Sequence, residues 1–279
     1  MKWLLLLIVV LVLVLIVVGI VFLVGNTDEN NDWVHLPFYK KLRHLGTHPP
    51  DYVHVLADKY AAKDVVKNKC ANVNVAKLVY VTGDGYLPEL DTILDSDKQY
   101  IMKANNASTR NKKIDINSDI EELRKIAKSW IKTPYTTAHS TEKFYSQMSP
   151  KVLIEELIHD IEYEYRILCF HGRPKYIKVK KVGSMKLSYY TPEWEMTDLS
   201  HLFTPKFKHL DKPEYLDKML SYAEQLSQDI AFVCVDIMAT KDGTLYFCEF
   251  TFTPNNSSRN LNPYKYQEIL SNHWLYRDN

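Results

Sequence analysis

A long apolar run opens the chain. From Trp3 to Val24 the residues are apolar or small, and none of them is charged. At about 1.5 Å per residue, a helix of this length spans the roughly 30 Å hydrocarbon core of a bilayer. A cleaved signal peptide would have a shorter apolar region followed by a small-x-small site, and this sequence shows neither. The pattern predicts an uncleaved single-pass anchor over residues 1–25, in contact with the lipid bilayer.

Behind the predicted anchor the chain mixes two periodicities. Residues 26–50 are polar and end at Pro49-Pro50, which indicates a linker. Apolar positions recur with helical spacing in three segments: Asp51–Lys69, Asp119–Lys132 with Ser118 as its N-cap, and Pro213–Gln228. Short apolar runs predict strands at Val75–Val81, Gln99–Lys103, Val152–Ile158, Tyr163–His171 and Pro174–Lys181. Helices and strands without strict alternation predict an α+β fold with an antiparallel sheet.

A β-hairpin predicted between Phe232 and Asn256 carries the candidate chemistry. Its turn contains Gly243, which reaches positive φ at no steric cost. Asp236 and Glu249 interrupt the apolar strands, and a buried carboxylate is costly unless it is paired or binds a metal. Because the strands lie side by side, both carboxylates can reach one face, with Asn255 just beyond. This arrangement indicates a Mg²⁺ site, and the alternative is two charges that face water on half-exposed strands.

Charge and cysteine content narrow the function classes. The chain has 35 basic and 34 acidic residues, a formal net charge of +1, which gives no overall attraction to nucleic acid. The four cysteines show no CxxC or other metal-type spacing, so no zinc site is predicted. Strand alternation places Cys234 on the face of Asp236 and Cys248 on the opposite face from Glu249. We therefore expect free buried thiols rather than a disulfide.

The order of these segments resembles the ATP-grasp superfamily, and within it the TupA-like (teichuronopeptide biosynthesis) branch of the polysaccharide-biosynthesis proteins. The segments that carry the resemblance are DKYAAKDVV from Asp58, YIMKANNAS from Tyr100, SWIKTPY from Ser129, PKVLIEELI from Pro150, EYRILCFHGRPKYI from Glu164 and FVCVDIMATKDGTLYFCEFTFTP from Phe232. The resemblance implies an ATP-grasp-like domain over residues 51–279, with two α+β subdomains around a nucleotide cleft. Its parts would be an N-terminal part (51–98), a small nucleotide-covering subdomain (99–158) and a metal and substrate subdomain (159–279).

The resemblance also implies a role for each candidate residue. ATP would be bound by Lys103, Asn105, Ser108, Glu155, Glu156, Leu157 and Glu164. Lys103 and the loop from Asn105 to Arg110 would contact the phosphates. Glu155, Glu156 and the backbone of Leu157 would lie at the adenine edge, and Glu164 near the ribose. Arg166 or Lys178 would help hold phosphate during catalysis, while Asp236 and Glu249 would bind Mg²⁺.

Three positions depart from the family pattern. The phosphate loop from Asn105 to Thr109 has no glycine, which hinders close backbone approach to phosphate, and Arg110 is the candidate compensation. Cys234 stands where the family usually has Arg, and Thr251 where it usually has Asn. These departures keep open a catalytically weakened nucleotide-binding relative that serves as a scaffold.

The leading interpretation is a membrane-anchored, Mg-ATP-dependent ligase that activates a carboxylate through an acyl phosphate. Its substrate would be a glycan or amino-acid-type small molecule in polysaccharide or cell-surface glycan biosynthesis. A third alternative is a membrane-bound glycosyltransferase, in which Asp236 and Glu249 would hold a metal and a nucleotide sugar. We expect the domain to face the cytosol, where ATP is available, although Lys2 before the apolar run argues for the opposite orientation.

Overall fold

The computed structural model describes residues 33–133, 135, 141–202 and 204–276. The predicted anchor lies outside these residues. Within the described ranges, no helix is long and apolar enough to cross a membrane.

The described chain combines short helices with mostly antiparallel strands. The helices are α1 (Phe38–Thr47), α2 (Asp51–Leu56), α3 (Ala62–Lys69), α4 (Ile120–Lys132), α5 (Leu216–Ser227) and α6 (Tyr266–His273). The strands are β1 (Asn74–Val75), β2 (Leu78–Thr82), β3 (Tyr100–Ala104), β4 (Asn111–Ile114), β5 (Val152–Glu156), β6 (Ile161–Phe170), β7 (Arg173–Lys181), β8 (Leu187–Tyr190), β9 (Ser200–His201), β10 (Phe232–Thr240), β11 (Leu245–Thr251) and β12 (Leu261–Asn262). Short 3₁₀ turns lie at Leu90–Thr92, Lys143–Gln147 and Pro254–Ser257.

Two sheets form the frame of the molecule. The large sheet has the order β1-β11-β10-β6-β7-β8, and the small sheet has the order β2-β5-β3-β4. Every neighbouring pair in the two sheets is antiparallel except β1 and β11. A separate two-stranded ribbon pairs β12 with β9. The prediction of an α+β fold with antiparallel sheets is confirmed.

Each sheet has its own hydrophobic core. In the small sheet, Leu123 and Ala127 of α4 pack against Met102 and Ile154. This is the amphipathic face that the helical spacing of Asp119–Lys132 predicted. The N-cap is Asp119, whose side chain accepts from the N–H groups of Glu121 and Glu122, so the prediction of Ser118 at that position was wrong.

The segment predicted as a linker is partly core. Residues 38–47 form α1, and its apolar face, with Phe38, Leu42 and Leu45, is buried in the core of the large sheet. Lys41 on the same helix is fully buried, and its Nζ donates to the backbone oxygens of Ser271 and Trp274 at 3.0 and 2.7 Å. The polar composition of residues 26–50 hid this helix, because its apolar positions fill one side only.

The predicted strand Val75–Val81 is two strands. Residues 74–75 pair with β11 in the large sheet, and residues 78–82 pair with β5 in the small one. The chain therefore crosses between the two sheets at Ala76 and Lys77. The helical segment Asp51–Lys69 is likewise divided, into α2 and α3. The strands predicted at Tyr163–His171 and Pro174–Lys181 are β6 and β7, which pair with each other. The hairpin turn is as predicted, with Gly243 at a φ of 81°.

Candidate functional site

A cleft of about 370 Å³ lies where the small sheet faces the large one. The predicted residues that line it are Lys103, Ser108, Glu155, Glu156, Leu157, Glu164, Arg166, Lys178, Asp236 and Glu249. One part of its lining is apolar, with Ile101, Ile161, Met238 and Phe247 among the residues. The remaining lining is densely charged. A site with an apolar part and a charged part suits a ligand that combines a flat apolar ring with phosphates.

On the small sheet, Glu155 is the centre of a buried ion-pair cluster. The carboxylate is fully buried, and its Oε1 lies 2.9 Å from Lys63 Nζ while its Oε2 lies 2.5 Å from Lys103 Nζ. Ile101 pairs with Glu155 and Lys103 with Leu153, so Glu155 and Lys103 are diagonal neighbours across β3 and β5. Burial lowers the pKa of Lys63, and the neighbouring carboxylate of Glu155 opposes this shift. Two lysines around one carboxylate leave an excess positive charge for an anion.

On the large sheet, four charged residues form a row across adjacent strands. Asp236 of β10 pairs with Glu249 of β11 on one side and with Arg166 of β6 on the other. Arg166 in turn pairs with Lys178 of β7. The row therefore reads Glu249, Asp236, Arg166 and Lys178 across β11, β10, β6 and β7. Strand register alone brings these residues together, over sequence separations of up to 83 positions.

Arg166 and Asp236 form a two-pronged ion pair at the centre of this row. Arg166 Nε donates to Asp236 Oδ1 at 2.8 Å, and Nη2 donates to Oδ2 at 2.5 Å. The hydroxyl of Thr251 also donates to Asp236 Oδ2, at 3.0 Å. Thr251 stands at the position where the resemblance implied an asparagine. Its hydroxyl group makes a direct hydrogen bond to the Asp236 carboxylate.

The two carboxylates of the row differ in their pKa. Burial raises the pKa of Asp236, and the Arg166 charge opposes this only in part. Burial also disfavours ionisation of Glu249, but Lys59 and Arg166 outweigh it and hold the Glu249 pKa below its usual value. Lys59 Nζ lies 3.2 Å from Glu249 Oε2. Burial, with Arg166 beside it, lowers the pKa of Lys178 to about 8.

Lys59 and Lys63 are functional candidates that the sequence analysis missed. Both line the cleft, and Lys59 Nζ also donates to the backbone oxygen of Ala107 in the phosphate loop at 2.8 Å. Their spacing of four residues, within the segment DKYAAKDVV, puts them on one face of a helical turn. That spacing was the signal that could have identified them.

Two predicted residues do not line the cleft. The Asn105 side chain is fully buried and ties the loop to its surroundings, because Nδ2 donates to Asp58 Oδ2 at 2.7 Å and Oδ1 accepts from the Lys151 N–H at 2.7 Å. Its place in the structure is that of an anchor for the loop. Asn255 lies in an adjacent pocket, where its Nδ2 is 3.0 Å from His201 Nε2. The structure thus brings Asp236 and Glu249 together without Asn255.

Some of the backbone and loop groups that were expected to contact the nucleotide form hydrogen bonds within the protein instead. The Leu157 N–H donates to the Gln99 backbone oxygen at 2.9 Å, so it belongs to the sheet edge rather than to a ligand. The next residue, Ile158, lines the cleft, and its N–H has no hydrogen-bond partner among the described residues. Arg110 Nη1 donates to the backbone oxygens of Trp130 and Thr133, at the end of α4. Arg110 therefore braces this loop against the helix end.

Other predicted side chains have partners of their own. The Glu156 carboxylate pairs with Lys77 and Lys98 at 2.8 and 3.1 Å, and these hydrogen bonds lower its pKa. Glu164 pairs with Lys180 at 3.0 Å, at the cleft. The Ser108 hydroxyl hydrogen-bonds the hydroxyl of Tyr135.

A β-bulge corrects the expectation for Cys248. The register moves from Asp236–Glu249 to Ile237–Phe247, which leaves Cys248 as an extra residue in β11. Cys248 and Glu249 therefore both line the cleft instead of alternating across the sheet. Cys70, Cys169, Cys234 and Cys248 are all free thiols.

The donor set of the hairpin fits a hard cation that is completed by its substrate. Among the described residues, no group of three or more His, Cys, Asp or Glu side chains is placed to hold a metal ion. Mg²⁺, however, is commonly bound through one or two carboxylates together with substrate phosphates. Asp236 and Glu249 supply such a pair beside the lysine cluster.

Comparisons with known proteins identify the family of the chain. A family model described as TupA-like ATPgrasp matches residues 39–275. The chain belongs to the TupA-like ATP-grasp family, as its sequence motifs predicted. A search of the curated proteins found no match.

Solved structures similar to the chain include several ligases. One is D-alanine–D-alanine ligase from Bacillus anthracis complexed with ATP, with 16% identity, a TM-score of 0.46, and coverage of 79% of this chain and 62% of that one. Another is N5-carboxyaminoimidazole ribonucleotide synthetase in complex with ADP, with 15% identity, a TM-score of 0.45, and coverage of 78% and 52%. D-alanine–D-alanine ligase from Helicobacter pylori has 14% identity, a TM-score of 0.46, and coverage of 81% and 60%. The matched region is less than two thirds of each ligase.

Proposed function

We propose that this protein is a Mg-ATP-dependent ligase that activates a carboxylate as an acyl phosphate and passes the acyl group to an amine. The observation that carries the proposal is the row Glu249–Asp236–Arg166–Lys178 in a cleft that also holds Lys63 and Lys103. Phosphoryl transfer needs positioned cations and a metal more than covalent chemistry from the protein. The cleft contains positioned cations, and its carboxylates Asp236 and Glu249 would hold the metal.

The position of each residue in the cleft determines its proposed role. Lys63, Lys103 and Lys178 would bind the phosphates, and Glu155 holds the first two lysines in place. The base would lie in the apolar part of the cleft, where the Ile158 N–H is the available backbone donor. Asp236 and Glu249 would hold Mg²⁺, which shields charge on the β- and γ-phosphates.

The proposed reaction has two bond exchanges. A substrate carboxylate oxygen attacks the γ-phosphorus, and the bond to the ADP oxygen breaks. An amine nitrogen then attacks the acyl carbon, and phosphate leaves with the electron pair of the carbon–oxygen bond. The cations of the cleft stabilise the charge that develops on the transferred group and on ADP. Closure of the small sheet over the large one would exclude water, which otherwise hydrolyses the acyl phosphate.

The cellular role is also part of the proposal. The family is that of TupA-like proteins, and the motifs that carry it resemble the polysaccharide-biosynthesis branch. We therefore place the reaction in polysaccharide or cell-surface glycan assembly, with the apolar run Trp3–Val24 as a membrane anchor and the domain in the cytosol. Protease protection of the domain in intact cells, with digestion only after permeabilisation, is the result expected for that topology.

Nucleotide binding tests the core of the proposal. Calorimetric titration of the full-length chain in detergent is expected to show Mg-ATP binding. Lys103→Met is expected to weaken it by roughly 10- to 100-fold, since a hydrogen bond to a charged group contributes about 1.5–3 kcal/mol. Lys112→Met is the matched control, because Lys112 lies on the neighbouring strand β4, pairs with Glu122 and does not line the cleft. A folded protein that binds no ATP at millimolar concentration contradicts the proposal.

One observation favours a catalytically weakened relative as the second candidate. Asp236 already accepts from Arg166 and Thr251, so a metal has to compete with these partners for the carboxylate. Hydroxylamine separates the two candidates, because it traps acyl phosphates as hydroxamates. Formation of ADP and hydroxamate with a panel of sugar and amino-acid carboxylates supports the ligase. ATP binding without either product supports the weakened relative.

A further inference from the structure

One lysine connects the two walls of the cleft. Lys59 Nζ lies 3.2 Å from Glu249 Oε2 on the large sheet and donates to the backbone oxygen of Ala107 at 2.8 Å. Ala107 belongs to the phosphate loop, which connects β3 and β4 of the small sheet. All three residues line the cleft, and the Lys59 side chain is only 11% exposed. A largely buried ammonium thus bridges a proposed metal ligand and the phosphate loop.

The backbone of Lys59 is fixed to the base of the same loop. The Lys59 N–H donates to the Asn105 backbone oxygen at 3.2 Å. The preceding residue, Asp58, accepts from Asn105 Nδ2 at 2.7 Å through Oδ2, and its Oδ1 accepts from the Tyr60 N–H at 2.7 Å. A lysine ammonium is a point charge on a flexible stem of four carbons. The side chain of Lys59 can therefore move while its backbone and the base of the loop stay in place.

The Lys59 ammonium occupies a position that a metal at the hairpin would contest. Burial opposes ionisation of Glu249, but the charge of Lys59, ahead of that of Arg166, holds the Glu249 pKa below its usual value. A divalent cation bound by Asp236 and Glu249 would share this carboxylate with the ammonium. Two cations on one carboxylate repel each other strongly where little water screens them. Binding of the metal would therefore move the ammonium away from Glu249.

Movement of the ammonium changes the support of the loop at Ala107. This residue is almost fully buried, and its oxygen accepts from Lys59. Asn106 keeps an uncharged contact, because its Nδ2 donates to the Tyr145 backbone oxygen at 3.3 Å. Loss of the Lys59 contact would thus loosen the loop without detaching it. Since the loop has no glycine, its freedom to adjust to phosphates depends on such contacts rather than on a permissive backbone.

We propose that Lys59 is a positioning residue that couples metal binding to the phosphate loop. Without a metal, its ammonium holds Ala107 to Glu249. A divalent cation bound by Asp236 and Glu249 displaces the ammonium and loosens the loop for the nucleotide. Such coupling is reciprocal, so a nucleotide that draws the loop away from Lys59 also makes Glu249 available to the metal. This proposal rests on the proposed ligase function and assigns a role to a lysine outside its proposed phosphate contacts.

Metal affinity in the absence of nucleotide tests the competition at Glu249. Mn²⁺, a paramagnetic cation that takes the same oxygen ligands as Mg²⁺, is titrated into the full-length chain in detergent. Lys59→Met is expected to bind Mn²⁺ about 10-fold more tightly than the wild-type chain, because the metal no longer displaces a charged partner. Lys59→Arg keeps the charge and is expected to keep the wild-type affinity. Equal or weaker binding in Lys59→Met, or no binding in either chain, contradicts the proposal.

Lys151→Met is the matched control for the loss of one positive charge. The Lys151 backbone pairs with Asn105 at the base of the same loop, but its Nζ lies over the Tyr60 ring, 5.6 Å from the centroid, and the residue does not line the cleft. This variant is expected to leave the Mn²⁺ affinity unchanged. A rise as large as that in Lys59→Met would assign the effect to overall charge and would contradict direct competition at Glu249.

Hydrogen exchange of residues 104–111 tests the response of the loop. Saturating Mn²⁺ without nucleotide is expected to speed exchange of this segment several-fold in the wild-type chain, because the metal opens a local contact. In Lys59→Met the segment is expected to exchange fast with and without the metal. A lysine with a purely structural role predicts no response to the metal. A wild-type loop that does not respond to bound Mn²⁺ therefore overturns the proposal, even if Lys59→Met fails to fold.

Mg-ATP titration of the same samples separates this proposal from the ligase function. A wild-type chain that binds no ATP contradicts the ligase function. A wild-type chain that binds ATP, but whose loop exchange is unchanged by Mn²⁺, contradicts the role of Lys59 alone.

Discussion

The two walls of the cleft handle buried charge in opposite ways. On the small sheet one carboxylate, Glu155, is surrounded by two lysines, so the cluster carries an excess positive charge. On the large sheet two adjacent carboxylates, Asp236 and Glu249, each have one cation, Arg166 and Lys59. The first wall is thus already prepared for an anion. The second has one cation for each carboxylate at the hairpin, and Lys178 adds a positive charge at the far end of the row.

This difference indicates how the site would be assembled around a nucleotide. A phosphate can contact Lys63 and Lys103 without breaking their pairs with Glu155, since an ammonium has three donors. A metal at the hairpin has to displace or share the partners of its carboxylates. The proposed phosphate site is therefore already formed in the fold, whereas the proposed metal site would require local rearrangement of Arg166 or Lys59.

The largest effect is expected from substitution of the carboxylate at the centre of the lysine-rich wall. Glu155→Gln leaves two largely buried lysines without their common partner, and is expected to lower the free energy of unfolding by about 3 kcal/mol or more. Glu156→Gln, one residue along the same strand, removes more exposed ion pairs and is expected to cost within about 1 kcal/mol. Urea unfolding of both variants at neutral pH measures the difference. Similar losses of unfolding free energy in the two variants would show that the burial of Glu155 does not determine its contribution to stability.

The second prediction compares the two carboxylates of the hairpin wall, which are expected to contribute differently to stability. Asp236→Asn leaves the Arg166 guanidinium without its two-pronged partner and is expected to cost about 3 kcal/mol of stability. Glu249→Gln is expected to cost less, because Lys59 retains the Ala107 backbone oxygen as a partner. Both are expected to weaken the dependence of ATP affinity on Mg²⁺, as measured by titration with and without the metal. Unchanged Mg²⁺ dependence in both variants would contradict the assignment of the metal site to Asp236 and Glu249.

A smaller effect concerns pH. The Lys178 pKa of about 8 lies below the value of 10.5 for a free lysine, so this side chain loses its charge at a lower pH than a free lysine does. ATP stabilises the charged form, and its affinity is therefore expected to be level below about pH 8 and to fall above it, by less than 10-fold per pH unit. Lys178→Met is expected to flatten the profile. Lys175→Met changes a residue on the same strand but outside the cleft, and is expected to keep the pH profile of the wild-type protein. A wild-type profile in Lys178→Met would exclude Lys178 as the titrating group.

The smallest effect concerns Thr251. Thr251→Val keeps the shape of the side chain but removes the hydroxyl that donates to Asp236, which is expected to cost about 1 kcal/mol in urea unfolding. In the double variant with Asp236→Asn the two losses are expected to be non-additive, because the residues share one hydrogen bond. Additive losses would mean that Thr251 acts independently of the row.

Local features of the sequence were sufficient for much of the fold and part of the site. Helical spacing predicted α4 and α5, and turn chemistry predicted the hairpin at Gly243, because both depend on neighbours a few residues apart. The carboxylates Asp236 and Glu249 were visible as charges inside apolar strands. The family was recognisable from the order of its motifs.

Only the tertiary structure decided which charges meet. The row from Glu249 to Lys178 depends on the register of four strands, and the bulge that turns Cys248 into the cleft depends on one extra residue in β11. Lys59 and Lys63 reach Glu249 and Glu155 from a part of the chain at least 90 residues away in sequence. Asn105 was placed at the phosphates by its position in a motif, yet packing against Asp58 and Lys151 buries it. Such pairings arise from long-range burial and register, which local periodicity does not encode.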